Sequence, residues 1–232
     1  MSDLKYETIP DPSGLLRIRA LRDIPRYGVK AGDLGGLIEQ ERNLSQSGDA
    51  WIGCYARAVD DAEVAGYAVL AGKAVVGERA LVGGNALVRD KALVSGNAKV
   101  RGNAWLSGDS LVSGNALVRG NALVSGNAKV RGDGWVDGNA LVVGDALVRH
   151  ASDLLTATIQ ASMPIQATLC RTAMSHHLIV DRWEGKVADF RAMIESDTWV
   201  EATPEQIKLR RPEMLAFTAM CEARIATWEA EK

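Results

Sequence analysis

From Ile52 to Val148 every sixth residue is aliphatic, and the register never slips. Seventeen consecutive hexads fill this position, from Ile52, Ala58 and Val64 through Val100 and Leu106 to Val142 and Val148. Beginning at Ala50, a second position with the same period holds a small residue. It is Ala in 15 of 17 cases, with Ser110 and Gly134 as exceptions. Just before it stands a turn pair, mostly Gly-Asn or Gly-Asp, as in Gly84-Asn85, Gly102-Asn103 and Gly144-Asp145. A period of six is neither helical nor simple alternation. It predicts a short strand, a corner and a short strand again, with the aliphatic residue pointing inward and the Ala filling the narrow angle. The corner needs positive φ, which Gly adopts freely and Asn or Asp tolerates. Three hexads close one triangular coil, so residues one coil apart stack at about 4.8 Å. The expected fold is mainly β, a single-stranded parallel β-helix of about 6 coils over residues 48–150. Asn85, Asn103, Asn121 and Asn139 should form a ladder of side-chain amides along its axis.

The flanks break the period. Within residues 1–47, Leu15–Leu21 reads as a strand, Ile24–Gly28 as a turn and Gly35–Glu39 as a second short strand. A β-helix ends in unpaired backbone, so this segment is assigned as an N-terminal β cap. Residues 151–232 read as a small C-terminal α+β appendage. Leu154–Gln160, Pro164–Thr172 and His177–Trp183 alternate as strands, with Met163-Pro164 at a turn, and Lys186–Ser196 reads as a helix. Thr203-Pro204-Glu205-Gln206 is a helix start, with Thr as N-cap, Pro in the first turn and Gln as its capping partner. Pro212 is expected to begin or kink a further helix, along which Met214, Phe217, Cys221, Ile225 and Trp228 form an apolar stripe.

Residues flanking the inward position point outward and sort into three faces. One reads Trp51, Val69, Leu87, Trp105, Leu123, Leu141 and is apolar in every coil. The others read Arg57, Val75, Leu93, Leu111, Lys129, Leu147 and Glu63, Leu81, Lys99, Leu117, Trp135. A continuous apolar ribbon of that size is expected to be covered, either by the C-terminal segment or by another subunit.

Composition narrows the function classes. Over residues 46–150 there are 11 Lys+Arg against 10 Asp+Glu, so the helix lacks the basic stripe of a nucleic-acid binder. Cys54, Cys170 and Cys221 are scattered and odd in number, which fits reduced thiols in the cytoplasm. The stretch from Met1 to Pro10 lacks the apolar core of a signal peptide, and no run reaches membrane-span length. No nucleic-acid or membrane partner is expected.

The repeat, aliphatic-x-Gly-Asn/Asp-Ala-x for about 100 residues, resembles the left-handed β-helix of the hexapeptide-repeat transferase family. The string Gly32–Glu39, then Asn43-Leu44-Ser45 and Gly48-Asp49-Ala50-Trp51, is similar to a group carried by phages and prophages and labelled acyltransferases. The resemblance implies left-handedness and a parallel homotrimer, which favours the subunit-interface reading of Trp51, Val69, Leu87, Trp105, Leu123 and Leu141. It also implies where chemistry would sit. Acyltransferases of the family use a histidine base in an intersubunit groove that binds acyl-CoA, and a loop interrupting the register covers it.

This chain has no histidine before His150, and its register is uninterrupted. Carboxylates of the helix sit mainly at corners (Asp49, Asp61, Asp109, Asp133, Asp145), where turn formation explains them. His150 and His177 are the catalytic candidates, with Asp181 and Arg182 completing a small junction site. Adjacent strand residues face opposite ways, so His176 and His177 cannot share a metal, and no metal site is expected. Cys170 with His177 as a nucleophile pair lacks an orienting third group. Lys99, Arg101 and Arg119, with Trp105 and Trp135, are candidates for binding a phosphorylated ligand, and Lys129 with Arg131 forms a second basic pair. The expected function is a non-catalytic trimeric scaffold or binding protein of phage origin, taking a host protein or a small phosphorylated ligand at subunit clefts, with no cofactor. The alternatives are a CoA-dependent acyltransferase, which would use acetyl-CoA or another acyl-CoA, and a structural virion component.

Overall fold

The computed structural model describes residues 4–159, 164–196, 199 and 203–231. The period of six becomes two-residue strands from Trp51–Ile52 to Leu147–Val148, each paired in parallel with a strand 18 residues away. The result is a parallel β-solenoid of about 6 turns. Its three sheets carry the three outward rows in the expected register, Leu87 beside Trp105, Leu93 beside Leu111 and Lys99 beside Leu117. Every inward aliphatic residue from Ile52 to Val148 is fully buried. The Asn ladder is present. Asn85 Nδ2 donates to Asn103 Oδ1 at 2.9 Å, Asn103 to Asn121 at 2.9 Å and Asn121 to Asn139 at 3.0 Å.

One inward corner breaks the alanine rule with a visible cost. Ser110 is 1% exposed, and its hydroxyl has no hydrogen-bond partner. A buried unmatched hydroxyl costs roughly 1–3 kcal/mol. Ser110→Ala restores the repeat and is expected to stabilise the chain by about 1 kcal/mol, read as a higher urea midpoint with an unchanged slope. A loss of stability would mean the hydroxyl has a partner in solution.

The ladder has a direction, and that direction explains the two ends. Each coil's N–H groups donate to the carbonyls of the following coil, as in Leu87 N–H to Ala104 O at 2.9 Å and Arg89 N–H to Leu106 O at 2.9 Å. The first coil therefore presents carbonyls with no preceding donors, and the last presents N–H groups with no following acceptors. Buried backbone groups must be paired. The N-terminal cap supplies donors. It consists of antiparallel β1 (Tyr6–Pro10), β2 (Leu16–Ala20) and β3 (Leu34–Ile38). Lys5 Nζ, wholly buried, donates to Ser45 O at 2.5 Å and Ala50 O at 2.8 Å. Burial, helped by the Arg22 charge, lowers the Lys5 pKa to about 8. The Tyr6 hydroxyl reaches Leu44 O at 2.7 Å, and Asn43 Nδ2 donates to Ala62 O at 2.7 Å. β3 itself pairs in parallel with Arg57–Ala58 at a separation of 20 residues. Stacking thus begins before Gly48, at a spacing the six-residue pattern cannot reveal. β1 was not foreseen, because its Glu-Thr-Ile-Pro run lacks a clean alternation of apolar and polar residues.

The other end is closed by acceptors. Asp153 Oδ2 accepts the N–H of Arg149 at 2.8 Å and of His150 at 3.1 Å, and Thr168 Oγ1 accepts that of Leu141 at 3.1 Å. These acceptors belong to the appendage, an antiparallel sheet of β4 (Leu154–Ile159), β5 (Ile165–Arg171), β6 (His176–Val180) and β7 (Trp183–Gly185), with α1 (Val187–Glu195) and α2 (Pro204–Ala230). Its own core includes Leu169, Leu178, Phe190, Phe217 and Trp228.

Two expectations for the appendage are corrected. The run His177–Trp183 is not one strand. Asp181 adopts φ 54°, the chain reverses at Asp181-Arg182, and Val180 pairs with Trp183 across the turn. Pro212 does not start a helix, because it lies inside the 27-residue α2. An internal proline costs about 3 kcal/mol in isolation. Here Met214, Phe217, Cys221 and Trp228 are buried along the same helix, and tertiary packing outweighs the propensity. Thr203 caps α2 as expected, its hydroxyl accepting the Gln206 N–H. The Met163-Pro164 turn and the end of the Leu154–Gln160 run involve residues outside those described. Among the described residues no helix is long and apolar enough to cross a membrane.

A candidate site where the appendage meets the last coil

The turn from Thr172 to Ser175, between β5 and β6, rests on the final coil through a bridge of Thr172 to Ala146. A cleft opens on each side of it. The first, of about 400 Å³, is lined by Arg149, His150, Asp153, Arg171, His176 and Glu231 among others. Three of its charged groups, Arg171, Asp153 and Glu231, pair with one another. Arg171 pairs with Asp153 at 3.1 Å and Glu231 at 2.8 Å, donates to Trp228 O at 3.2 Å and lies over the Trp228 ring. Asp153 is 2% exposed. The cleft is thus a clamp joining the last coil, the sheet and the end of α2.

The second cleft, of about 600 Å³, is lined by Lys129 and Arg131 from the solenoid and by His177 and Lys186 from the appendage. Lys129 and Arg131 follow from the repeat, since they flank the inward Val130 and both point out. Among the described residues neither has a carboxylate within ion-pairing distance. The Arg131 Nε is buried and without a hydrogen-bond partner, and so is His177 Nε2. His177 Nε2 lies 3.4 Å from Glu184, a charge contact without hydrogen-bond geometry. Asp145 also lines the cleft, and its carboxylate accepts from Asn127 at 3.2 Å.

The histidines are used differently from one another. His176 Nε2 accepts the Val187 N–H at 3.1 Å, and its Nδ1 lies 3.3 Å from the Ser175 hydroxyl. Burial and then the Lys186 charge lower its pKa, and its bond to the Val187 N–H holds α1 against β6. His150 lines the first cleft and His177 the second, so the structure does not bring them together. Asp181 and Arg182 are at the exposed tip of the β6–β7 hairpin and line neither cleft. Cys170 is the cross-strand partner of His177, but its thiol is wholly buried against Leu141 O, and burial pushes its pKa up to about 12. That is an inert thiol, not a nucleophile.

The five residues expected to bind a phosphorylated ligand are divided. Lys99, Leu117 and Trp135 share one sheet, with Arg101 and Arg119 at its edge, whereas Trp105 belongs to another sheet under Arg89. Arg119 is occupied, paired with Asp137 at 2.7 Å and stacked over Trp135 at 5.2 Å. Burial raises the Asp137 pKa, but the Gly138 N–H and the Arg119 guanidinium outweigh it and hold the carboxyl below its ordinary range. Of the apolar ribbon, Trp51 is only 5% exposed and Leu141 is tied to Thr168, whereas Val69, Leu87, Trp105 and Leu123 retain exposed surface. Among the described residues no cluster of His, Cys, Asp and Glu is arranged to hold a metal.

The sequence reading missed Lys186, Asp153 and Arg171, for which no local pattern exists. The outward pair Lys129 and Arg131 was the one signal for the second cleft. No family model matches the chain, and no curated protein shows significant similarity to it.

Proposed function

We propose that the protein is a non-catalytic binding scaffold, a left-handed β-helix of the hexapeptide-repeat type and of phage origin, that self-assembles as a homotrimer in the cytoplasm. The observation that carries this is the row Val69, Leu87, Trp105 and Leu123. The appendage makes its main contacts with the end of the solenoid, at the Leu141 and Leu147 strands, and leaves this row partly open. The face is suited to another copy of the chain. Across its strands and the residue after each, Arg89 is the sole charge. The Arg57 face carries Arg57, Lys129, Arg131 and Arg149, and the Glu63 face carries Glu63, Lys99, Arg101, Arg119 and Asp137. Small residues such as Gly53, Ala71, Ser107 and Ser125 beside the row permit close approach. A binding role is supported by the way His176 and Cys170 serve packing, and the phage origin by the Gly32–Trp51 string. The three cysteines are free, which suits a reducing compartment.

Native mass spectrometry tests the assembly. The expected mass is three times the 24.8 kDa chain. Leu87→Asp is expected to dissociate it at least tenfold more readily while leaving the circular dichroism unchanged, because each buried Leu contributes about 1.5–3 kcal/mol. A monomeric wild-type protein would overturn the reading.

A further inference from the structure

We infer that the cleft formed by Lys129, Arg131, His177 and Lys186 is a binding site for a phosphoryl-bearing small molecule, of the phosphate monoester or diphosphate class. The inference rests on the binding-scaffold reading and names its ligand.

Three observations converge. The first is charge. Two solenoid cations without ion pairs face Lys186 across a cleft, with His177 beside them. Lys186 spends one donor on His176 O at 2.6 Å and keeps the others. The opposing carboxylates are Asp145, which accepts from Asn127, and Glu184 beside His177. The second is unmet hydrogen bonding. Buried polar nitrogens are normally paired, yet Arg131 Nε and His177 Nε2 are both buried and unmatched, and both residues line this one cleft. An anion in the cleft sits beside both side chains. A guanidinium fork suits phosphate geometry, with Lys as a point charge beside it. The third is the ladder's direction. The solenoid's N–H groups point toward this end, and Gly144 to Leu147 of its last coil form one wall, with the Ala146 N–H bonded to Val143 O at 3.2 Å. The same polarity that draws Asp153 to one corner favours an anion at this one.

A volume of about 600 Å³ lies within the range of small-ligand sites, so the phosphoryl group can carry a sizeable substituent. The cleft is on the Arg57 face and extends to the corner at Asn127 and Asp145 that joins it to the Leu87 row.

Isothermal titration of the full chain with inorganic pyrophosphate at low salt tests the site, with inorganic phosphate as the smaller probe. Saturable one-to-one binding per chain is expected, tighter for pyrophosphate. Arg131→Ala and Lys129→Ala should each weaken it at least tenfold. Arg57→Ala and Lys73→Ala, several coils from the cleft, should bind as wild type does. Absence of binding, or equal weakening by both pairs of variants, would overturn the site. Native mass is recorded on the same samples. Binding by a monomer would remove the trimer and keep the site, whereas a trimer that does not bind would remove the site alone.

Discussion

Gly102→Val is expected to cost at least about 3 kcal/mol. Two penalties add. Gly102 adopts φ +73°, and the left-handed region costs a residue with a Cβ about 1–2 kcal/mol. A Cβ there would also stand 2.8 Å from Gly120 N and 2.9 Å from Gly120 O. Both atoms are backbone of the next coil, and Gly120 O accepts the Asn103 N–H at 2.7 Å, so the coil cannot retreat without losing that bond. Gly138 separates the two penalties. It has φ +66° and nothing within 4 Å of a Cβ. Gly138→Ala should therefore lose only the conformational part, about 1–2 kcal/mol.

The chain itself shows how a side chain can be tolerated at a corner. Asp60 and Asp90 have φ 55° and 62°, and each carboxylate accepts an N–H of the next coil, Glu78 at 2.8 Å and Gly108 at 3.1 Å. Gly102→Asp should accordingly be milder than Gly102→Val. Urea midpoints of the four proteins measure the differences. Equal losses for Gly102→Val and Gly138→Ala would show that clearance between coils is not the constraint.

Asp153→Ala is expected to cost about 3–4 kcal/mol and to loosen the appendage from the solenoid. The side chain is 2% exposed and serves three donors, the Arg149 and His150 amides and the Arg171 guanidinium. Removing it strands two amides at the open end of the ladder and leaves Arg171 with Glu231 and Trp228 O. Breaking a buried pair by deleting one partner typically costs about 3–5 kcal/mol. Asp153→Asn keeps an acceptor oxygen and should lose about half as much. Trp228, whose indole N–H donates to Ser152 O at 2.8 Å, reports on this junction by fluorescence. Its transition is expected to precede that of the solenoid in Asp153→Ala. A single coincident transition at the wild-type midpoint would refute the clamp.

The solenoid was legible because its information is local and repeated. One aliphatic residue every six, an Ala beside each corner and a Gly-Asn or Gly-Asp pair between them specify strand, corner and register within each hexad, and the stacking of Asn85 to Asn139 follows. The Thr203 cap was legible for the same reason, since its partner Gln206 is three residues away. What the tertiary structure decided is everything that depends on distant segments. β3 stacks at a spacing of 20, outside the repeat. Lys5 reaches Ser45 and Ala50, and Arg171 reaches Glu231, across separations that no periodicity encodes. Arg131 looks like ordinary solenoid surface along the chain. The docking of the appendage on the last coil places it in one cleft with His177 and Lys186. The physical reason is the polarity of the ladder. The repeat sets its direction, but closing each end requires donors or acceptors from non-repeating segments, and their placement is a property of the folded chain.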